Sequence, residues 1–195
     1  MSTTQPDARM RMVATAADML RRRGMVATSI RDLAKLANAP LGSTYHYFPG
    51  GKAQLLAEAV EFASGKVFQV LRKAEGPIEG LQLFMGYWRD VLVKQDFTVS
   101  CPLVAVSAEE GAGEEHQPAR EKAAEAFASW VRFVQHALMT KGVPSEEAFE
   151  LGTLAVSAIE GGIVICRAQR SIEPLERIAR QLERQFQAAL ERVDQ

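Results

Sequence analysis

The chain has few of the residues that mark several large classes of protein. It contains only two cysteines, Cys101 and Cys166, among 195 residues, which excludes a framework of disulfide bonds. We expect both cysteines to be small buried side chains. A redox-sensing role, the alternative, requires an exposed thiol with a low pKa.

Long apolar runs and strand patterns are also missing. The most apolar stretch, residues 151–166, is interrupted by Glu160 and three glycines, so we expect no membrane span. Residues 1–9 lack the apolar core of a secretory signal, which favours a cytoplasmic protein. Because no useful run alternates between polar and apolar residues, we predict an all-α fold of about nine helices.

The usual marks of catalytic and metal sites are absent from the sequence. Gly50-Gly51-Lys52 is not a phosphate-binding loop, because no predicted strand precedes it and the residue after the lysine is Ala53. The three histidines have no metal-ligand spacing with the cysteines, and no nucleophile motif such as Gly-x-Ser-x-Gly occurs. We therefore predict no catalytic residue, no metal, no cofactor and no enzyme activity.

Residues 28–52 carry the strongest local pattern that is present. Ser29 with Asp32 three positions later is typical of a helix N-terminus, and the apolar residues that follow form one helical face. Asn38 and Pro40 suit a tight turn, and residues 41–48 form a second short helix that ends before Pro49. Helix, short turn and helix is the helix-turn-helix motif, whose second helix enters the major groove of DNA.

The charge of the chain is unevenly distributed, although its net value is only −1. Residues 1–52 have a net charge of +5 and the remaining residues −6. A basic N-terminal region on an acidic body is typical of a modular DNA-binding protein. The alternative for Arg21, Arg22 and Arg23 is a solvated helix end that interacts with the helix dipole.

The rest of the sequence predicts helices separated by short breaks. A long helix covers residues 52–73, and the composition of residues 111–117 indicates a surface loop. The last two helices, at about 146–170 and 173–193, have apolar faces that suit a homodimer interface.

The helix-turn-helix segment, IRDLAKLANAP followed by GSTYHYFPGGK, resembles the TetR family of bacterial transcriptional repressors. The residues that match are Ala34, Gly42, Tyr45, Phe48 and Lys52. Departures occur at the turn, residues 38–40, at Thr44, and at Leu41, where the family often has a basic or polar residue. Gly50-Gly51, the Ala-Pro turn and the later CPLVAVSAE stretch are similar to a subgroup that includes lincomycin-resistance and flavonoid-responsive multidrug regulators.

The resemblance implies a domain division and a set of contacts with DNA. Residues 1–52 would form the three-helix DNA-binding domain, and residues 53–195 the helical ligand-binding and dimerisation domain. The predicted operator contacts are Ser29, Arg31, Leu41, Gly42, Ser43, Tyr45, His46, Tyr47 and Lys52. Of these, the resemblance implies phosphate or thymine contacts for the two tyrosines, a phosphate contact for Ser29, a base contact for Arg31 and a phosphate clamp for Lys52.

The resemblance also implies a cavity for a small, apolar or aromatic effector in the C-terminal domain. The residues predicted to line it are Phe62, Phe84, Tyr87, Trp88, Leu103, Trp130, Phe133, Glu160 and Ile163. Each of them would equally suit an ordinary core. The predicted function is a dimeric repressor that binds a palindromic double-stranded operator and is released by the effector. The alternative is a helical protein-interaction adaptor with a non-functional head.

Overall fold

The computed structural model describes residues 4–109 and 113–193. Within these ranges every secondary-structure element is a helix. The described residues form nine α-helices and one short 3-10 helix, Glu114–His116. This confirms the predicted all-α fold. The α-helices are α1 Thr4–Arg23, α2 Ile30–Leu36, α3 Leu41–Tyr47, α4 Gly51–Leu71, α5 Pro77–Lys94, α6 Pro102–Ala108, α7 Gln117–Met139, α8 Ser145–Gln169 and α9 Glu173–Val193.

The chain forms two compact units, and the first combines Met1–Lys66 with Cys101–Ala126. In this unit α1 packs against α2 and α6, and α2 packs against α3. Helices α2 and α3 have seven residues each, which is too short for stability in isolation. They depend on a shared core whose fully buried side chains include Met12, Leu20, Leu33, Phe48, Leu55 and Leu56.

The predicted domain boundary at Lys52 lies inside this first unit. Helix α4 continues unbroken from Gly51 to Leu71, and its residues 51–66, about four turns, belong to the same unit as the short helices. Residues 101–126 also belong to the first unit, through contacts that the order of the sequence does not indicate. A functional division at residue 52 stays a prediction.

The second unit combines Val67–Ser100 with Phe127–Gln195 and is built on longer helices. Helix α9 packs against both α5 and α8, and α5 also contacts α8. Two glycines of α8 allow close packing, since a Cβ at Gly152 would lie 2.8 Å from the carbonyl oxygen of Val131 and one at Gly162 2.6 Å from the Ile178 side chain. Small residues of α8 therefore serve packing within this unit.

Helix α8 is, among the described residues, the one helix long and apolar enough to cross a membrane by length and composition. Half of its most apolar 18-residue window is buried within the structure, as in the core helix of a soluble protein. Both cysteines are buried free thiols. Burial raises the pKa of Cys166, which disfavours the thiolate that a redox sensor needs.

The predicted surface loop at residues 111–117 differs from the structure in its described part. Glu114–His116 forms a 3-10 helix, and His116 is only 4% exposed. Residues 111 and 112 lie outside the described residues. Composition indicates a loop here because glycine and charge dominate the stretch, whereas tertiary packing buries its single imidazole.

Candidate functional site

The turn between α2 and α3 has the geometry of a helix-turn-helix. Ser29 caps α2, where its Oγ accepts a hydrogen bond from the Asp32 amide at 3.1 Å. Asn38 follows α2 with a φ of 50°, a left-handed conformation that asparagine tolerates well. Pro40 then occupies the N-cap of α3. The predicted boundaries of the motif therefore agree with the structure.

Helix α3 has one exposed face and one buried face. Leu41, Gly42, Tyr45 and His46 are exposed, whereas Thr44 is 1% exposed. Ser43 and Tyr47 are half-buried, and Phe48, just beyond the helix, lies in the core. The exposed residues repeat at the spacing of one helical face, so they can contact a single external surface.

The cations of the predicted interface lie on the flanking helices. Arg31 and Lys35 are exposed on α2. Lys52, the second residue of α4, is half-buried, and its Nζ lies 3.7 Å from Oε1 of Glu115. Of the arginines that end α1, Arg21 and Arg22 both donate to Asp18, at 2.7 and 2.8 Å, which supports a structural role for these two.

A chain of polar contacts fixes the Pro49-Gly50 loop that joins α3 to α4. The Gly50 amide donates to Gln54 Oε1 at 2.9 Å, and Gln54 Nε2 donates to Glu58 Oε1, also at 2.9 Å. Arg9 pairs with the same Glu58 oxygen at 2.6 Å and lies 5.0 Å from the centre of the Phe48 ring. Because Phe48 is the C-cap of α3, these contacts tie α3 to α1 and α4.

Glu109, just beyond α6, contacts the turn between α1 and α2. Its carboxylate accepts a hydrogen bond from the Met25 amide and another, at 3.0 Å, from the Val26 amide. Gly24 has a φ of +77°, and a Cβ there would lie 2.8 Å from Glu109 Oε2. Arg120 donates to the carbonyl of Glu109 at 2.6 Å. The sequence contains no signal for this contact, because 83 residues separate Glu109 from Val26.

His116 is a buried imidazole close to the Lys52–Glu115 pair. Neither ring nitrogen hydrogen-bonds to any residue that the structure describes, and Nε2 lies 3.5 Å from Glu115 Oε1. Burial lowers the pKa of His116, and the nearby positive charge of Lys52 lowers it further. The imidazole is therefore held in its neutral form next to a candidate phosphate clamp.

The second unit contains a cavity of about 210 Å³ that is partly open to solvent. Three of the residues predicted to line an effector site, Phe84, Trp130 and Phe133, are among its walls. The Phe84 and Trp130 rings meet edge to face, with 5.9 Å between their centres. The lining residues that were not predicted from the sequence include Leu71, Leu81, Val134, Val156, Ile159 and Phe186.

The remaining predicted residues lie outside this cavity. Phe62 and Leu103 belong to the first unit. In the second unit Trp88, Glu160 and Ile163 are buried, and Tyr87 is half-buried with its ring centre 5.4 Å from that of Trp88. The structure therefore brings together three of the nine candidates. The chain folds back between α4 and α5, so Gly76 in this turn and Pro77 at the start of α5 also line the cavity.

Comparison with known proteins matches both parts of the chain to one family. Residues 12–59 match the model for bacterial regulatory proteins of the tetR family, and residues 77–181 match that for the LmrA/YxaF-like C-terminal domain of transcriptional regulators. An uncharacterized HTH-type regulator from Mycobacterium tuberculosis is 40% identical over 177 residues, covering 89% of this chain and 91% of its own. The Bacillus subtilis regulator YxaF is 32% identical over 185 residues, covering 92% and 95%.

Solved structures support the same fold. A regulatory protein TetR from Rhodobacter sphaeroides has a TM-score of 0.79 at 20% identity, covering 91% of this chain and 98% of its own. The regulator CifR, solved as a cysteine mutant with a 26-base-pair operator duplex, has a TM-score of 0.69 at 20% identity, covering 92% and 95%. The matched relatives are transcriptional regulators and not enzymes. The chain therefore belongs to the TetR family of bacterial transcriptional regulators, in the subgroup with the LmrA/YxaF-like C-terminal domain.

Proposed function

We propose that the protein is a cytoplasmic, effector-responsive repressor. A homodimer binds a palindromic operator through two copies of α3, and a small aromatic molecule in the cavity of the second unit releases it. The cavity is the single observation that carries this proposal, because a concave, mainly apolar site of about 210 Å³ with several aromatic walls is typical of a small-molecule binding site.

The cavity walls indicate the chemistry of the effector. Four aromatic side chains, Phe84, Trp130, Phe133 and Phe186, contribute to it together with aliphatic residues. The polar lining side chains are Glu75 and Thr140, both largely exposed to solvent. An uncharged aromatic molecule fits these walls, and a polar substituent would face Glu75 or Thr140. An engineered apolar cavity of about 150 Å³ holds benzene, so the volume here suits a molecule of one or two rings.

The exposed face of α3 and its flanking helices supply the proposed operator contacts. Leu41, Gly42, Ser43 and His46 meet base edges, while Tyr45 and Tyr47 contact phosphates or thymines. Ser29 and Lys52 contact phosphates, and Arg31, exposed on α2, reads a base. All of these residues belong to the first compact unit, which the CifR–operator complex resembles in fold.

An uncharged outer face of α8 supports the proposed homodimer. Leu154, Val164 and Ile165 are each 45 to 48% exposed, and Ser157 and Gly161 lie between them. The exposed residues of α9, in contrast, are mainly arginine, glutamine and glutamate. Two copies of α8 can bury this face against each other, with α9 at the edge, as expected for a symmetric dimer.

Helix α4 offers a route from cavity to operator. Leu71, its last residue, lines the cavity, and Lys52 is its second residue. The helix has 21 residues, so it spans about 30 Å. A ligand that tilts this rigid helix needs only about 1 to 3 kcal/mol of coupling to reduce operator affinity measurably.

Two measurements test the proposal. An electrophoretic shift with the DNA that flanks its own gene would show operator binding, which the adaptor alternative excludes. The complex is then titrated with one-ring and two-ring aromatics and with flavonoids as larger molecules. In Trp88→Phe, Trp130 is the one remaining tryptophan, so quenching of its fluorescence reports occupancy of the cavity.

Cavity filling provides the control for that titration. Ala137→Leu places extra volume in the cavity and should abolish both quenching and release while operator binding remains. Ala124→Leu, on an exposed position of the same helix, should leave both intact. Release that persists in Ala137→Leu, or no release by any aromatic, would contradict the effector site.

A further inference from the structure

The exposed face of α3 is uncharged and contains a large apolar side chain where a reader of DNA bases is expected. Leu41 and Tyr45 lie one helical turn apart and are 43% and 63% exposed. Gly42 and His46 lie beside them on the same face. An exposed leucine on a short surface helix loses free energy in contact with water, so this face is suited to burial against a partner.

The composition of α3 restricts which bases it can read. Its seven residues, LGSTYHY, include no arginine or lysine for guanine and no asparagine or glutamine for adenine. Ser43 and His46 can each form single hydrogen bonds, which discriminate weakly. The strong bidentate contacts in the major groove are therefore unavailable to this helix, and any such contact with guanine comes from another element, such as Arg31 on α2.

An apolar side chain in the major groove has one specific target, the C5 methyl group of thymine. We propose that Leu41 reads the methyl group of one thymine in each half of the operator. Gly42 makes this approach feasible, since it is exposed, has no side chain, and no heavy atom of a more distant part of the described chain lies within 4 Å of the position its Cβ would occupy. The backbone of α3 can thus come close to the base edges and bring the Leu41 side chain into contact with the methyl group.

This inference rests on operator binding through α3 and deepens it to a base preference. Selection from a randomised duplex library with the purified protein identifies the operator. Each thymine is then replaced by uracil, which pairs identically with adenine and lacks only the methyl group. We expect a loss of about fourfold in affinity at one symmetric position, the effect of withdrawing one methyl-sized group from its contact.

Variants assign the effect to a residue. Leu41→Ala should bind thymine and uracil duplexes equally at that position. Leu36→Ala, which truncates another exposed leucine of the same unit, should retain the wild-type difference. Tyr45→Ala tests the neighbour on the same face, and it should also retain the difference.

Two results would overturn the inference. If the wild-type protein binds thymine and uracil duplexes with equal affinity at all positions, the protein does not read a thymine methyl group. If the difference between thymine and uracil survives in Leu41→Ala but disappears in Tyr45→Ala, Tyr45 and not Leu41 contacts the methyl group. Failure of operator binding itself looks different, because the selection would then enrich no sequence at all. Circular dichroism of each variant confirms that the helices remain folded.

Discussion

The two compact units of this regulator are stabilised in different ways. In the first unit, helices of seven residues share an apolar core, and charged and polar side chains add contacts around it, such as Glu109 on the α1–α2 turn and Arg9 on Glu58. In the second, helices of 18 to 25 residues pack through apolar faces and glycines. These polar contacts form a frame around α3 in the first unit, whereas the apolar packing of the second unit leaves room for a cavity.

A charge on the outer face of α8 should give the largest effect, because the second unit has long apolar helices with an uncovered face. Leu154→Glu places a carboxylate where two copies of α8 would meet. We expect a monomer in sedimentation and a loss of at least about a hundredfold in affinity for the full operator, since the two heads no longer act together.

The matched control for this variant is Val93→Glu, which places the same charge on an exposed valine of α5. It should remain dimeric and bind the operator normally. A Leu154→Glu protein that stays dimeric would place the homodimer interface elsewhere on the second unit.

Removal of the Glu109 carboxylate tests the polar frame of the first unit. In Glu109→Ala the amides of Met25 and Val26 lose a charged acceptor, which should cost about 2 kcal/mol of stability. The loss should appear as faster hydrogen exchange at these two amides and as weaker operator binding.

Glu121→Ala serves as the comparison, because Glu121 is exposed and its carboxylate accepts a hydrogen bond from Gln117 of the same helix. Unchanged protection of Met25 and Val26 in Glu109→Ala would mean that the frame does not depend on this residue. The second unit should keep its exchange protection in either variant, as expected if the two units are stabilised independently.

The features of the first unit that could be predicted from the sequence are those that depend on residues close together in the chain. Ser29, Asn38 and Pro40 act within their own turn, so their side-chain chemistry indicates helix starts and stops correctly. The heptad-like apolar stripes likewise predict α8 and α9 to within a few residues. The exposed and buried faces of α3 follow from helical spacing alone.

Long-range contacts could not be predicted in the same way. His116 lies in the stretch whose composition indicates a loop and Glu109 just before it, and only the fold brings Glu109 to the α1–α2 turn and His116 near Lys52 of α4. The cavity illustrates the same limit. An aromatic residue on a helix suits a core or a void equally, which is why Phe84, Trp130 and Phe133 line it but Trp88 does not.

A smaller effect is expected from removing the side chain of Lys52, which is predicted to contact a phosphate. Lys52→Ala should reduce the slope of log affinity against log salt concentration by about one unit and weaken binding similarly on all sequences. Lys66→Ala, an exposed lysine further along α4, should leave the slope unchanged. An unchanged slope in Lys52→Ala would remove this residue from the operator interface.

The smallest effect should come from pH, through His116. Burial and Lys52 lower its pKa in the folded state, so below the unfolded value of about 6.5 the unfolded chain binds more protons. The free energy of unfolding therefore keeps the contribution of the neutral imidazole when the pH is above the unfolded-state pKa. It loses this contribution as the pH falls towards the lowered pKa of the folded state. Glu115 and Glu109 oppose this shift, and Arg120 adds to it.

Urea denaturation between pH 7.5 and 5 measures this loss. His116→Phe keeps a buried ring without a titrating group, so its stability should decline less over the same range. His136→Phe, at an exposed position of α7, should retain the wild-type slope. Because Phe also changes packing, the slope with pH decides the test and the absolute stability does not. An identical slope in His116→Phe and the wild type would show that the acid sensitivity does not arise from the buried imidazole.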